Sequence, residues 1–552
     1  MVATPGKRIT MSADQQDISR CLFNRRVFLK QLGLGSVGLS LLSAIPNQSS
    51  IEIAGKNALP RSTPEHQGVS STALNTFLDE IAKSKIEFHS IMIVRHGHVI
   101  AEGWWAPYAA PLKHTLYSLS KSFTSTAVGL AIAEGHLNLE QAVISFFPED
   151  KPKDINANLE AMKIKHLLTM STGHVKDTIQ PMRLSSETWA KTFLQVPVER
   201  EPGTFFKYDT GATYMLSAIV QKVTGQSLHQ FLRPRIFDPL GIHGEDWETD
   251  PLGINTGGYG LRIKTEDIAK FGQLFLQKGK WNGKQLVPSQ WIDEATKTQI
   301  ASNSSNPSRP KEEDDWAQGY GYQFWRCRPG GYRADGAFGQ FSMVMPDYDA
   351  VIAITGESFS MQKSMDLVWS FILPAMDKKS AALPANIKEQ KGLAKKLQDL
   401  SLEPPKQNPT SPLASRISDK QITLDVNEFK AASIQLTFKD NTCIFNLYDD
   451  KGKRKIICGV NKWVEQRNEN KAIPFPVPGR MEVPTAVAGS ATWSDDKTLL
   501  MTWRLIESAH TNGLTFIFED NDVTIKFHSS ISQNNPNGPD KRSNIKGSFA
   551  DL

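Results

Sequence analysis

Residues 116–130, LYSLSKSFTSTAVGL, constrain this chain more than any other stretch. The continuation AVGLAIAEG is mostly small and apolar, the make-up of a buried, rigid helix rather than one with a polar face for water. At its start stand Ser118 and Lys121, three residues apart. One helical turn of about 3.6 residues brings both side chains onto one face. A serine hydroxyl is a poor nucleophile until something takes its proton. A lysine can do so where burial or a neighbouring cation lowers its pKa.

The spacing alone selects little, because Ser-x-x-Lys also begins at Ser308, Ser360, Ser494 and Ser543. Pro310 inside the Ser308 motif disfavours a helix there. Ser494 and Ser543 lie in turn-like polar runs, WSDDKT and KRSNIKG. Ser360 opens a predicted helix and is the local rival. Ser118 alone opens a long, small and apolar one.

At 552 residues the chain is long enough for two or more domains of ~100–200 residues. Its 39% apolar content supplies a core. The net charge of +5 is small, with acids and bases interspersed, and gives no footprint for nucleic acid. Near the start, Asn24-Arg25-Arg26-Val27-Phe28-Leu29-Lys30 precedes a weakly apolar, Gly/Ser-rich run at 31–44. Paired arginines before such a run predict a twin-arginine export signal, with Asn24 where Ser or Thr is commoner. The expected partner is the twin-arginine export machinery. The expected location is the periplasm or beyond, reached in the folded state, with cleavage near Ala44 or retention by an uncleaved leader. The run is too short and glycine-rich for a stable membrane span.

Of four cysteines, Cys21 belongs to the leader. Cys443 and Cys458 lie in neighbouring strand-like runs, and both a disulfide and two buried thiols fit them. No Cys-x-x-Cys or His/Cys cluster suggests zinc. His96-Gly97-His98 reads as a hairpin turn.

Periodicity predicts a helix at 71–85, with Leu74, Phe77, Leu78 and Ile81 on one stripe. Strands are predicted at 91–94 and 99–105, and a helical, loop-rich region to about 250. Short strands follow at 320–326, 339–345 and 350–355, then a helix at 361–376. Strand, helix and strand in this order, with a helical insert, give an α+β domain. Residues 379–418 are rich in Lys, Ala, Pro and Ser and read as a helix fragment and linker. Alternating runs at 433–439, 443–448, 455–460, 499–506, 514–519 and 523–527 predict a small antiparallel β domain. The expected organisation is signal region 1–45, first domain 46–378, linker 379–418, β domain 419–532 and a disordered tail 533–552.

Two further elements join Ser118. Residues 201–226, EPGTFFKYDTGATYMLSAIVQKVTGQ, place Tyr208 just before an amphipathic helix, where its phenol can point into a cleft. Residues 333–341, RADGAFGQF, form a small-residue strand edge that lets a ligand approach the backbone. Taken in order, Ser118-Leu119-Ser120-Lys121, EPGTFFKYDTG and this glycine-rich edge resemble the three motifs of serine β-lactamase-like hydrolases. That family includes class C β-lactamases, DD-peptidases, esterases and 6-aminohexanoate-oligomer hydrolases. Thr63-Pro64-Glu65, HLLTMSTGH, GGYGLRIKTEDIAKFGQLFL and GYGYQFW match as well, so the resemblance covers about residues 60–375.

The resemblance implies a β-lactamase-like fold, an antiparallel sheet flanked by helices with a helical subdomain. It also implies an acyl-enzyme mechanism without metal or organic cofactor. Ser118 attacks a carbonyl, Lys121 and Tyr208 share the proton transfers, and the N–H groups of Ser118 and Ala337 form the oxyanion hole. Which of Lys121 and Tyr208 is the base stays open. The departures are Thr210 in place of the usual Asn, and Ala334-Asp335-Gly336 in place of Lys or His, Ser or Thr, then Gly. Loss of the cation, with Asp335 beside it, predicts a pocket that repels carboxylates and accepts amines. Asp335, Gly336, Thr210 and Tyr259 are the expected substrate contacts, and β-lactams are expected to be poor substrates. The wording around GATYMLSAIVQKVTG is most similar to the 6-aminohexanoate-dimer hydrolase and esterase branch. The leading expectation is an exported amide or ester hydrolase. The other is a non-catalytic or slowly acylated binding protein on the same fold.

Overall fold

A computed structural model describes residues 57–303, 306, 308–376, 381–467, 473–476, 486–533 and 540–549. The expected leader lies outside the described residues. Helix α1, Ser71–Ser84, precedes the hairpin β1, Phe88–Arg95, and β2, His98–Trp104. His96 and Gly97 turn this hairpin, both with φ in the left-handed region. Helix α2, Ser120–Ala133, α3, Thr210–Thr224, and α4, Thr265–Leu276, come next. Strands β3, Trp325–Arg326, β4, Tyr332–Gly336, β5, Gln340–Met345, and β6, Ala350–Gly356, complete the sheet. The strand order is β2-β1-β6-β5-β4-β3, and every pairing is antiparallel.

Both faces of this sheet are covered, and the sequence carries the reason. Successive strand residues point to opposite faces. Ile91 and Ile93 join the core under α1, while Met92 and Val94 join the core that holds α2, α3 and α4. Strands β1 and β6 are therefore buried throughout and read as near-continuous apolar runs, FHSIMIVR and AVIAITG. The predicted strand at 320–326 is realised only as β3, because Tyr320 is held by an isolated bridge to Ile300. Helical structure follows at Met361–Leu367, Val368–Ile372 and Leu373–Ala375.

The segment expected as a linker contains α5, Ile387–Asp399. Its Leu393 joins the α1 core, and Asn75 Nδ2 donates to Glu389 Oε2 at 3.0 Å. The packing of the first domain thus continues past residue 378.

Among its described residues the β domain has ten strands. They are β7, Gln421–Leu424, β8, Ala431–Lys439, β9, Thr442–Asp449, β10, Gly452–Val460, and β11, Val464–Arg467. They continue with β12, Ala486–Asp495, β13, Thr498–Leu505, β14, Thr511–Glu519, β15, Asp522–Ser529, and β16, Ile545–Phe549. The order is β10-β9-β8-β7-β16-β15-β14-β13-β12-β11, and a short parallel pairing of β10 with β12 closes a barrel. Inside it pack Phe445, Trp493, Trp503 and Phe516. Strand β16 corrects the expectation of a disordered tail. It pairs with β7 and β15, whose edges it covers, and buries Ile545 and Phe549. Cys443 and Cys458 stand opposite one another in register as buried free thiols, and burial pushes both pKa values up, Cys458 to about 12. Among the described residues no helix is long and apolar enough to cross a membrane.

Candidate active site

Ser118 lies in a 3-10 turn, Tyr117–Leu119, that runs into α2. Residues 120–131 are all buried, as their small, apolar make-up requires. Lys121, one turn on from Ser118, is only 1% exposed. Its Nζ donates to Ser118 Oγ at 3.1 Å and to the Gly258 carbonyl at 2.8 Å. It stands 4.9 Å from the centre of the Tyr208 ring. Burial lowers the Lys121 pKa to about 8, against the charges of Asp177, Asp209 and Asp335, which favour the ammonium.

Tyr208 stacks on Trp325, with ring centres 5.6 Å apart, and its hydroxyl lies near Ser118. Burial, with Asp335 adding to it, pushes the phenol pKa well up, so this group stays a neutral phenol. The residues that follow explain its position. Asp209 caps α3, accepting from Gly211 N at 3.0 Å and from Thr178 N at 2.9 Å. Burial opposes the Asp209 charge, but His174 at 3.6 Å and the Thr178 donors hold its carboxyl below the usual range. Thr210 Oγ1 donates to Asp177 Oδ2 at 3.0 Å and lies 3.5 Å from Lys121 Nζ, which links Lys121 to Asp177. Burial and then repulsion by Asp209 push the Asp177 carboxyl up.

The third element is the end of β4. A Cβ at Gly336 would meet the Leu116 carbonyl oxygen at 2.0 Å, so only glycine lets this strand lie against the segment entering Ser118. Gly339 N donates to Gly336 O at 3.2 Å. In a trans peptide the next N–H points the opposite way, so Ala337 N–H faces outward from the turn. Gln340 Nε2 donates to Ala337 O at 3.0 Å and Ser358 N to Phe338 O at 2.8 Å, which fixes the loop.

Asp335 departs from the expected free acid. Its carboxylate accepts from Nε of the fully buried Arg333 at 2.9 Å, and the two charges offset each other. Arg333 also donates to the carbonyls of Arg326 and Asp315 and lies over Trp316. The Asp335 charge acts on Lys121, and neither Arg333 nor Asp335 lines the cavity.

In front of Ser118 lies a cavity of about 730 Å³. Ser118, Thr210 and Tyr259 line it from the first domain, while Leu505, Glu507 and His510 line it from the β domain. Of the expected substrate contacts, Thr210 and Tyr259 are on this wall. Among the described residues no group of three His, Cys, Asp or Glu side chains could hold a metal ion.

The other histidines have structural partners. His114 meets His89 at 2.9 Å, and burial lowers its pKa to about 3. His166 Nδ1 accepts from Lys163 N, and His174 supports Asp209. Ser360 is exposed and Lys363 donates to the Ser84 carbonyl. Sequence reasoning missed Asp177, Arg333 and His510. Asp177 follows closely on HLLTMSTGH and was open to discovery there. His510 carries no local signal, because what it touches is hundreds of residues away.

The Beta-lactamase family model matches residues 77–375, more than half of the chain. The 6-aminohexanoate-dimer hydrolase of Paenarthrobacter ureafaciens is 25% identical over 247 residues, 42% of this chain and 63% of that protein. A beta-lactamase of Escherichia coli K12 is 25% identical over 191 residues, 31% of this chain and 50% of the relative. The chain thus spans about half to two thirds of the length of these curated relatives. Among solved structures, a D-stereospecific amidohydrolase from Streptomyces matches with a TM-score of 0.43 and 14% identity, over 55% of this chain and 99% of that one. By the family match, and with the fold described above, the chain belongs to the beta-lactamase family of serine hydrolases.

Proposed function

We propose that the protein cleaves amide or ester bonds through an acyl-enzyme on Ser118. The observation that carries this reading is the buried Lys121, its pKa lowered to about 8, donating to Ser118 Oγ at 3.1 Å. Neutral Lys121 takes the Ser118 proton as Oγ attacks the carbonyl carbon. Of the two candidate bases, burial makes the lysine the easier to hold uncharged and the Tyr208 phenolate the harder. Tyr208 then relays a proton from the Lys121 ammonium to the leaving amine or alcohol. The N–H of Ser118, in the first turn of its helix, and that of Ala337 receive the oxyanion. Water, activated by the same pair, hydrolyses the acyl-enzyme and restores Ser118.

The apolar side chains around the cavity, Trp189, Tyr259, Ile473 and Leu505, suit a substrate with an apolar body. Relatives named 6-aminohexanoate-dimer hydrolase and beta-lactamase support amide hydrolysis within this reading. Export through the twin-arginine route, with work in the periplasm or outside the cell, is supported by the Asn24–Lys30 run alone. Replacing Arg25 and Arg26 together by Lys should leave the protein in the cytoplasm, and unchanged export would remove this part of the proposal.

The test is intact-mass spectrometry after a fluorophosphonate, with turnover of short p-nitrophenyl esters, beside Ser118→Ala. A single adduct and turnover, both lost in the variant, support the reading. A wild-type protein that takes no label and turns over no ester supports a binding protein on this fold instead.

A further inference from the structure

Building on the hydrolase reading, we propose that His510, from the β domain, is a positioning residue of the active site that holds the two oxyanion-hole peptides in place. The peptide that carries the Ser118 N–H is Tyr117–Ser118, and its direction depends on the backbone of Tyr117. Tyr117 has φ +50°, a left-handed conformation that a tyrosine rarely adopts. Such a residue persists where surrounding contacts over-determine it. On the other side of the hole, Ala337 is followed by Phe338, which has φ +67°. His510 touches both of these residues.

Tyr117 Oη meets His510 Nε2, and the Phe338 ring stands edge-on to the imidazole at 4.7 Å. Tyr117 and Phe338 also meet each other, with ring centres 5.2 Å apart. His510 is itself fixed from behind. Its Nδ1 meets the buried Glu357 carboxylate, which also accepts from Ser530 Oγ. A carboxylate can only accept, so Nδ1 carries a proton, and in a neutral imidazole Nε2 then accepts from the Tyr117 hydroxyl.

The loop that carries His510 is tied to the first domain. Thr115 N donates to Glu507 O at 3.2 Å, and Tyr108 Oη donates to Ser508 O at 3.2 Å. Within the loop, Leu505 N donates to His510 O at 3.0 Å. The β domain therefore contributes more than a wall. It clamps the residue before the nucleophile and the residue after the second oxyanion donor.

The experiment uses the full chain and three variants, His510→Ala, Tyr117→Phe and the double variant. Active sites are counted by fluorophosphonate labelling, so turnover is expressed per labelled site. Losing one oxyanion donor typically costs about 10²–10³ in rate. A misplaced donor should cost kcat per labelled site at least about tenfold in both single variants, with KM little changed, and slow the labelling in parallel. Because both changes break one contact, the double variant should lose no more than the worse single variant. A purely structural role would lower melting temperature and the number of labelled sites but leave kcat per site alone. If His510→Ala fails to fold, Tyr117→Phe, which keeps the ring, decides the matter. Folded variants with kcat per site within about twofold of wild type would overturn the proposal. If the wild type takes no label, the hydrolase reading itself falls, and this proposal with it.

Discussion

In the proposed mechanism the chemistry turns on Lys121, and its surroundings make the pH dependence predictable. Its ordinary pKa is lowered by burial to about 8, so below that value it is protonated in the folded protein and cannot take the Ser118 proton. kcat/KM for a p-nitrophenyl ester should therefore rise with pH and level off above about 8. Asp177 is the acid that most favours the ammonium. Asp177→Asn removes that charge but keeps a carbonyl oxygen for Thr210, so the break in the profile should move to lower pH. A break that stays or moves upward would show that Lys121 is not the group titrating. Lys121→Arg should be nearly inactive, about 10²–10⁴-fold down, because guanidinium does not give up its proton. The grouping of Ser118, Lys121 and Tyr208 was legible in the sequence because each sits at a fixed offset from a helix start. The role of Asp335 was not. Its neighbour Arg333 lies two residues away on the same face of the strand, and only the burial of both side chains shows that they neutralise each other.

Strand β4 carries a specificity prediction. Ala334 occupies the place where the family pattern has a cation, and the acid beside it is committed to Arg333. The strand's own cation, Arg333, is buried and paired with Asp335, so a substrate carboxylate finds no partner at position 334, and nitrocefin or a penicillin should be turned over far more slowly than a short p-nitrophenyl ester. Efficient β-lactam turnover would refute this. The same strand depends on Gly336. In Gly336→Ala the new methyl would press on the Leu116 carbonyl at 2.0 Å, and backbone, not a flexible side chain, would have to move. The expected results are a stability loss of about 1–3 kcal/mol in denaturant unfolding and a larger proportional loss of kcat. Elements with a strong period were legible: α1 and the β1–β2 hairpin fall within a few residues of their expected limits. Strands β12 and β16 were not. AVAGSATWSD is built of small residues without clear alternation, and IKGSF has only five residues and a glycine. Both are strands because neighbouring strands offer them partners, not because of local preference.

The whole molecule makes a site that neither half of the sequence announces. The first domain supplies Ser118, Lys121 and Tyr208, and the loop between β13 and β14 closes the cavity in front of Ser118. Contacts such as Tyr108 with Ser508 join positions 400 residues apart, beyond any local pattern. Leu505, the last residue of β13, is an apolar side chain at the base of that loop on the cavity wall and is only half-buried. It has the room to be replaced by a larger group that projects into the cavity. In Leu505→Trp the cavity should shorten where the β domain bounds it. Room for even one methylene in an apolar pocket is worth about 10-fold or more in selectivity. The variant should therefore lose about tenfold or more in kcat/KM for a long-chain p-nitrophenyl ester, while its activity on the acetate and its fluorophosphonate labelling stay close to wild type. Equal losses on both esters would mean that the substitution disturbs the Ser118 region itself. No loss on either would mean that the acyl chain leaves the cavity by another side, and that the β domain does not bound the substrate.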